Sequence, residues 1–178
     1  VEILIDKLIK ENADISICGY IEEKLNGEII KEVCLEDKTN YSSEEEKLLI
    51  NWSPWCKLYA KEIIQNVEFP NVALAEDLMF NVNIICKNHI NKIATTNKAL
   101  YHYISRMDSA TSVRYSDVFR QGILMEKECI EKLSNANIKI DYKKIKILYN
   151  GIIGFYNRIS SIVKEKEKYK CAYEEVRN

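Results

Sequence analysis

The stretch Ala13-Asp14-Ile15-Ser16-Ile17-Cys18-Gly19-Tyr20 alternates with a period of two, the pattern of a β-strand whose two faces meet different surroundings. Just before it, Val1, Leu4, Ile5, Leu8 and Ile9 follow the i, i+3, i+4 spacing of one helix face, which predicts a helix over Val1 to Glu11. Just after it, Asn26-Gly27 marks a turn, and Glu28 to Cys34 reads as the returning strand of a hairpin. Helix, strand and hairpin in this order set the class as α/β.

The pattern continues downstream. Ser42-Ser43-Glu44-Glu45-Glu46 reads as a helix N-terminus with acids in its first turn, continuing to about Asn51 and interrupted by Ser53-Pro54. Trp55 to Tyr59 is a short strand or turn, a short helix follows through Ile64, and Phe69-Pro70-Asn71 is a loop. From there Ala75, Leu78, Met79, Val82, Ile85 and Cys86 trace a helical stripe. Asn91 to Thr96 and Ala99 to Ile104 read as two short strands, and Ser105 to Tyr115 as a loop. Two longer helices are predicted near Asp117–Ala136 and Asp141–Lys168.

At 178 residues the chain can bury a core, as one domain or a domain with a helical appendage. Its 47% hydrophobic and 30% charged residues exclude disordered and collagen-like classes, and five Gly with two Pro argue against a turn-rich all-β architecture. No apolar run approaches the roughly 20 residues of a membrane span, and the acids Glu2 and Asp6 do not suit a signal peptide. Cys18, Cys34, Cys56, Cys86, Cys129 and Cys171 form no C-x-x-C pair. They read as reduced, mostly buried thiols of a cytoplasmic protein. Residues 1–50 carry 13 acids against 6 bases and residues 101–178 carry 10 against 15, too mild a bias for a nucleic-acid footprint. His89 and His102 lack partners at metal-ligand spacing, so no metal site is expected within the chain.

Three segments carry a resemblance. Trp55-Cys56-Lys57-Leu58-Tyr59, followed by Phe69-Pro70, resembles a W-x-K-L-Y block. Glu76-Asp77-Leu78-Met79-Phe80 resembles an E-D-x-x-F block opening a helix. Leu100-Tyr101-His102-Tyr103-Ile104-Ser105-Arg106, continuing to Ser109 and Thr111, is similar to an L-Y-x-Y-R-x-R-x-x-S-x-T segment. In this order they resemble the second half of a glycosyltransferase family 2 domain, with Ile104 standing where the family has Arg. The resemblance implies an inverting enzyme with part of a GT-A (nucleotide-diphospho-sugar transferase-like) α/β domain. Residues 1–115 would be its acceptor-side half and residues 116–178 a helical C-terminal extension. The donor-binding half with its D-x-D pair would lie upstream, so the chain alone is expected to be inactive.

The resemblance further implies a nucleotide-sugar donor, a glycan or lipid-linked glycan acceptor, and a role in cell-envelope polysaccharide biosynthesis. Mg or Mn would be held mainly by ligands outside the chain. It gives Asp77 the role of the base that deprotonates the acceptor hydroxyl, a task suited to a carboxylate in a first helical turn. Glu76 would hold the acceptor or orient neighbouring groups, or is an exposed first-turn acid. Trp55 offers a face for a sugar ring or is a core Trp; Lys57 reaches phosphate or the base, or is a surface lysine. Tyr101, His102, Tyr103 and Arg106 combine aromatic and cationic groups suited to a sugar-phosphate. Alternation along a strand puts Tyr101 and Tyr103 on one face and His102 on the other. His102 is also the candidate for completing a donor-metal shell. A non-catalytic binding or scaffold module derived from such a transferase is the alternative.

The stripe Ile145, Leu148, Tyr149, Ile152, Tyr156, Ile159, Val163, flanked by lysines and arginines, packs on its own domain or lies on the inner membrane face. An incomplete domain would expose an apolar flank, making a homo-oligomer an expectation.

Overall fold

The computed structural model describes residues 1–39, 41, 53–72, 74–87, 90–106 and 117–138. Helix α1 (Glu2–Glu11) buries Leu4 and ends where Asn12 adopts a left-handed conformation, φ 48°. The Asn12 N–H donates to the Ile9 carbonyl and the Ala13 N–H to that of Leu8, at 3.1 and 2.9 Å. These two bonds satisfy two of the last free carbonyls of the helix and turn the chain into the sheet.

Strand β1 (Ile15–Lys24) is the centre of that sheet. Strands β2 (Ile29–Val33) and β3 (Lys57–Tyr59) pair with it antiparallel, while β4 (Ile93–Ser105) runs parallel to it from Ile15 to Lys24. A strand has two edges, so β3 and β2 share the edge opposite β4, β3 against the start of β1 and β2 against its end. The hairpin joining β1 to β2 is closed by a 2.9 Å bond from the Lys24 N–H to the Glu28 carbonyl, and Gly27 takes φ 82° there. That conformation suits glycine and fits the Asn-Gly signal. Gly19 is required for another reason. A Cβ on it would lie 2.0 Å from the Val33 carbonyl oxygen.

The two short strands expected over Asn91–Thr96 and Ala99–Ile104 are one strand. Ile17 pairs with Thr95 and Tyr20 with Tyr101, so β4 carries extra residues and bulges where a break was expected. Asn97 and Lys98 sit in this bulge, exposed. The outer edge of β4 meets the segment after β2: the Lys38 carbonyl accepts from the Thr95 N–H, and Thr95 Oγ1 donates to the Glu36 carbonyl.

A short 3₁₀ turn (Pro54–Cys56) leads into β3, and a one-turn helix α2 (Lys61–Ile64) follows. Helix α3 (Glu76–Lys87) buries Leu78, Met79, Phe80, Asn81, Val82, Ile84 and Ile85, more than the single stripe seen in the sequence. It is enclosed on two sides. Ile84 and Ile85 meet Ile15, Ile17 and Ile93 of the sheet. On the other side lies helix α4 (Asp117–Asn135), where Cys129 Sγ approaches Met79 Sδ at 3.9 Å and Lys132 Nζ donates to Asn83 Oδ1 at 3.0 Å. Helix α1 covers the opposite face of the sheet: Ser16, whose side chain alternates with those of Ile15 and Ile17, donates to the Leu4 carbonyl at 2.9 Å. The layers are therefore α1, sheet, α3, α4. Each buried Leu, Ile or Met of α3 contributes on the order of 1.5–3 kcal/mol.

Ala75 is not part of the helical stripe. It precedes α3 with φ 62°, and its carbonyl accepts from the Met79 N–H. Cys18, Cys56 and Cys129 are buried free thiols, Cys86 is partly buried and Cys34 is exposed. Among the described residues, no helix is long and apolar enough to cross a membrane. The expected helix from Ser42, the helix over Asp141–Lys168 with its basic flanks, His89, Ser109, Thr111 and Cys171 lie outside the described residues.

Candidate functional site

Lys57 and Tyr59 are alternate residues of β3 and point to the same face of the sheet. Their partners on β1 are Ile17 and Ile15, the residues that meet α3. Both β3 side chains converge on one residue of that helix. Lys57 Nζ and the Tyr59 hydroxyl each donate to Asn81 Oδ1 at 3.0 Å, while Asn81 Nδ2 donates to the Asp77 carbonyl at 2.8 Å. Phe80, next to Asn81, meets the Tyr59 ring edge-on at 5.9 Å between centroids. Lys57 is part-buried rather than a freely exposed surface lysine, and burial of its ammonium brings the pKa down to about 8 against the opposing pull of Cys56 and Asp77.

Asp77 sits at the entrance of α3 beside this cluster. The helix dipole alone favours its ionised form. Burial dominates instead, and with repulsion from Glu76 it raises the carboxyl from 3.8 to about 6, while Lys57 pulls the other way. At neutral pH such a group is mostly ionised, yet more basic than an ordinary aspartate. Tyr59 is pushed well above its usual value, by burial first and then by the nearby Cys56 and Asp77; it stays a neutral donor. Lys57 and Asn81 also border a cavity of about 10 Å³ among Ile15, Ile17, Ile84 and Ile85. That is space for about one water, not a substrate.

A second cluster is aromatic. Trp55, in the 3₁₀ turn, stacks across Tyr101 and Tyr103 of β4 with centroids 4.5 and 5.4 Å apart, and meets Tyr20 of β1 edge-on at 5.1 Å. The parallel register sets Tyr20 beside Tyr101, which explains why one indole can touch all three rings. Trp55 is partly buried against the core, so its tyrosine-facing side is occupied by protein.

His102 faces away from this cluster, as the alternation requires, and its Nδ1 lies 3.2 Å from Glu23 Oε1. Arg106 is exposed at the end of β4, and Ile104 is 39% exposed. The structure thus groups Lys57 with Asp77 and Glu76, groups Trp55 with Tyr101 and Tyr103, and leaves His102 on the other face. Among the described residues no three His, Cys, Asp or Glu side chains converge as metal ligands. The Mg or Mn implied by the resemblance is expected to be held mainly by ligands outside the chain, and the described residues supply no such set.

Asn81 and Tyr59 were missed as site residues by the sequence reading. A signal existed for Asn81: it is an amide among apolar neighbours, one turn after Asp77, where its side chain can reach back along the helix. Tyr59 stood in the W-x-K-L-Y-like block but had no assigned role.

No family model matches the chain, and no curated protein sequence matches it. The class that emerges is structural: the chain has a glycosyltransferase-like α/β fold. It is similar to the crystal structure of S. aureus TarS 1–349 in complex with UDP-GlcNAc, with a TM-score of 0.50 at 14% sequence identity, over 88% of this chain and 52% of that one. The chain thus spans about half the length of the solved structure it matches.

Proposed function

We propose that this chain is the acceptor-side part of an inverting, family-2-like glycosyltransferase of GT-A type, with Asp77 as general base. The observation that carries the reading is a half-buried carboxylate at the entrance of α3, raised to about 6, beside a part-buried lysine. The likeness to TarS, a transferase solved with a nucleotide sugar, supports a nucleotide-sugar donor.

In the proposed reaction an acceptor hydroxyl oxygen attacks the anomeric carbon as the bond to the nucleoside diphosphate breaks. Asp77 accepts the hydroxyl proton, and the configuration at the anomeric carbon inverts. Lys57 supplies positive charge for the developing anion, and Glu76 binds an acceptor hydroxyl. Tyr101, Tyr103 and Trp55 form an aromatic wall, and Arg106, exposed just past the end of β4, supplies a cation for a phosphate. The acceptor is a glycan, free or lipid-linked, made for cell-envelope polysaccharide at the cytoplasmic face of the membrane. The Mg or Mn of such enzymes, and the donor's main contacts, belong to residues outside those described.

The second reading is a non-catalytic binding module of the same ancestry. It draws on Ile104, apolar and exposed where the resemblance expects an arginine. One experiment separates them: sugar transfer by the complete gene product across a panel of nucleotide sugars, with Asp77→Asn alongside. A base role predicts a loss of roughly 10²- to 10⁴-fold in kcat. Equal turnover by the variant would remove Asp77 from the chemistry, and no transfer with any donor would favour the binding module.

A further inference from the structure

Phe69 is 51% exposed, and among the aromatic side chains the structure describes it is the exposed one. Its ring lies flat on that of Phe80, with centroids 4.0 Å apart and planes 4° from parallel. Phe80 is itself buried and meets Tyr59 edge-on. One face of Phe69 is thus covered and fixed, and the other is turned to solvent. Pro70 follows, and the Val72 N–H donates to the Pro70 carbonyl at 2.9 Å, closing a tight turn beside the ring. Resting on the reading of Asp77 as the base, we propose that the open face of Phe69 is the platform on which a pyranose ring of the acceptor stacks, with Glu76 and Asp77 accepting from its hydroxyls.

The placement follows from helix geometry. Phe80 stands three residues after Asp77 and four after Glu76 in α3, spacings that put Cβ atoms about 5–6 Å apart on one face. Helical side chains lean toward the N-terminus, which tilts the Phe80 ring toward the turn of the two carboxylates, and Phe69 is stacked upon it. A pyranose combines a flat C–H face with a rim of hydroxyls. The aromatic face suits the first through apolar contact with its electron-rich surface. The carboxylates suit the second as acceptors of charge-assisted hydrogen bonds. Two adjacent carboxylates also repel a diphosphate, so an uncharged acceptor sugar fits here and the nucleotide donor does not. Trp55, by contrast, is only partly exposed and packs against the core.

The test is saturation-transfer NMR on the 178-residue chain, with the methyl β-pyranosides of glucose, galactose and N-acetylglucosamine as probes. In all of them the hydrogens at C1, C3 and C5 share one face of the ring. At least one probe should receive saturation most strongly at those hydrogens, and Phe69→Trp should keep that pattern. Phe69→Ala should weaken binding about tenfold, the upper end of what an aromatic contact contributes. Phe69→Leu, which still covers Phe80 but has no flat face, should behave as the alanine variant does and is read in its place if Phe69→Ala loses its native circular dichroism. A ring-face preference that goes with the aromatic ring and stays with tryptophan is not what a purely structural role produces. No transfer to any probe, transfer without a face preference, or wild-type binding by a natively folded Phe69→Leu overturns the proposal. Because no turnover is read, the result stands apart from the catalytic reading. Binding that depends on Phe69, combined with full transfer by Asp77→Asn, would sink the base assignment alone.

Discussion

Replacing Asp77 by Asn should make the protein more stable, and only above acidic pH. The carboxyl sits near 3.8 when unperturbed and near 6 in the fold, chiefly because of burial. A folded-state pKa above the unfolded one means that the folded chain binds the extra proton between those two values. Stability therefore falls as pH rises from about 4 to 6, and the full cost is present above the folded pKa. A shift of about two units corresponds to about 3 kcal/mol at about 1.36 kcal/mol per unit. Asp77 is only half-buried, so solvent screening reduces the expected cost to about 1–2 kcal/mol. Asparagine mimics the protonated acid and removes that cost at every pH. Urea unfolding followed by circular dichroism at pH 4, 6 and 8 checks this. The variant should match the wild type at pH 4 and exceed it by about 1–2 kcal/mol at pH 8. Equal stability at pH 8, or a gap independent of pH, would refute the claim that Asp77 is held ionised against its surroundings. A gain would mark a stability sacrifice of the kind made at functional sites.

Other perturbations read different parts of the fold. Gly19→Ala puts a Cβ 2.0 Å from the Val33 carbonyl oxygen; the end of β2 must move, at about 1–3 kcal/mol, visible as a lower melting temperature. Ala75→Gly should add about 0.5–1 kcal/mol in urea unfolding, because the left-handed conformation strains alanine more than glycine's extra entropy costs. That position has φ 62°. Under the proposed mechanism, kcat/KM for sugar transfer should rise with pH as Asp77 loses its proton near 6 and fall as Lys57 loses its charge near 8. A flat profile across that window would separate both groups from the reaction.

The sequence determined the local elements whose cause is local. The period of two in Ile15–Tyr20, the Asn26-Gly27 turn and the helical stripe from Leu78 to Ile85 each depend on side chains a few residues apart, so they were legible from the chain alone. The separation of His102 from Tyr101 and Tyr103 was legible for the same reason. The single long β4 was not, because its bulge is held by pairing with a strand far away in sequence. Nor was Ala75 outside its helix, since its left-handed turn is imposed by how the chain enters α3. The site followed the same division. Asp77 and Lys57 could be singled out by residue type and by resemblance, but the direction of their proton affinities could not. A first-turn aspartate and a strand lysine carry no sign of burial in their own sequence. Only packing α3 against the sheet brings Lys57, Tyr59 and Asn81 together beside Asp77, and desolvation there outweighs the helix dipole because it depends on every neighbouring segment at once.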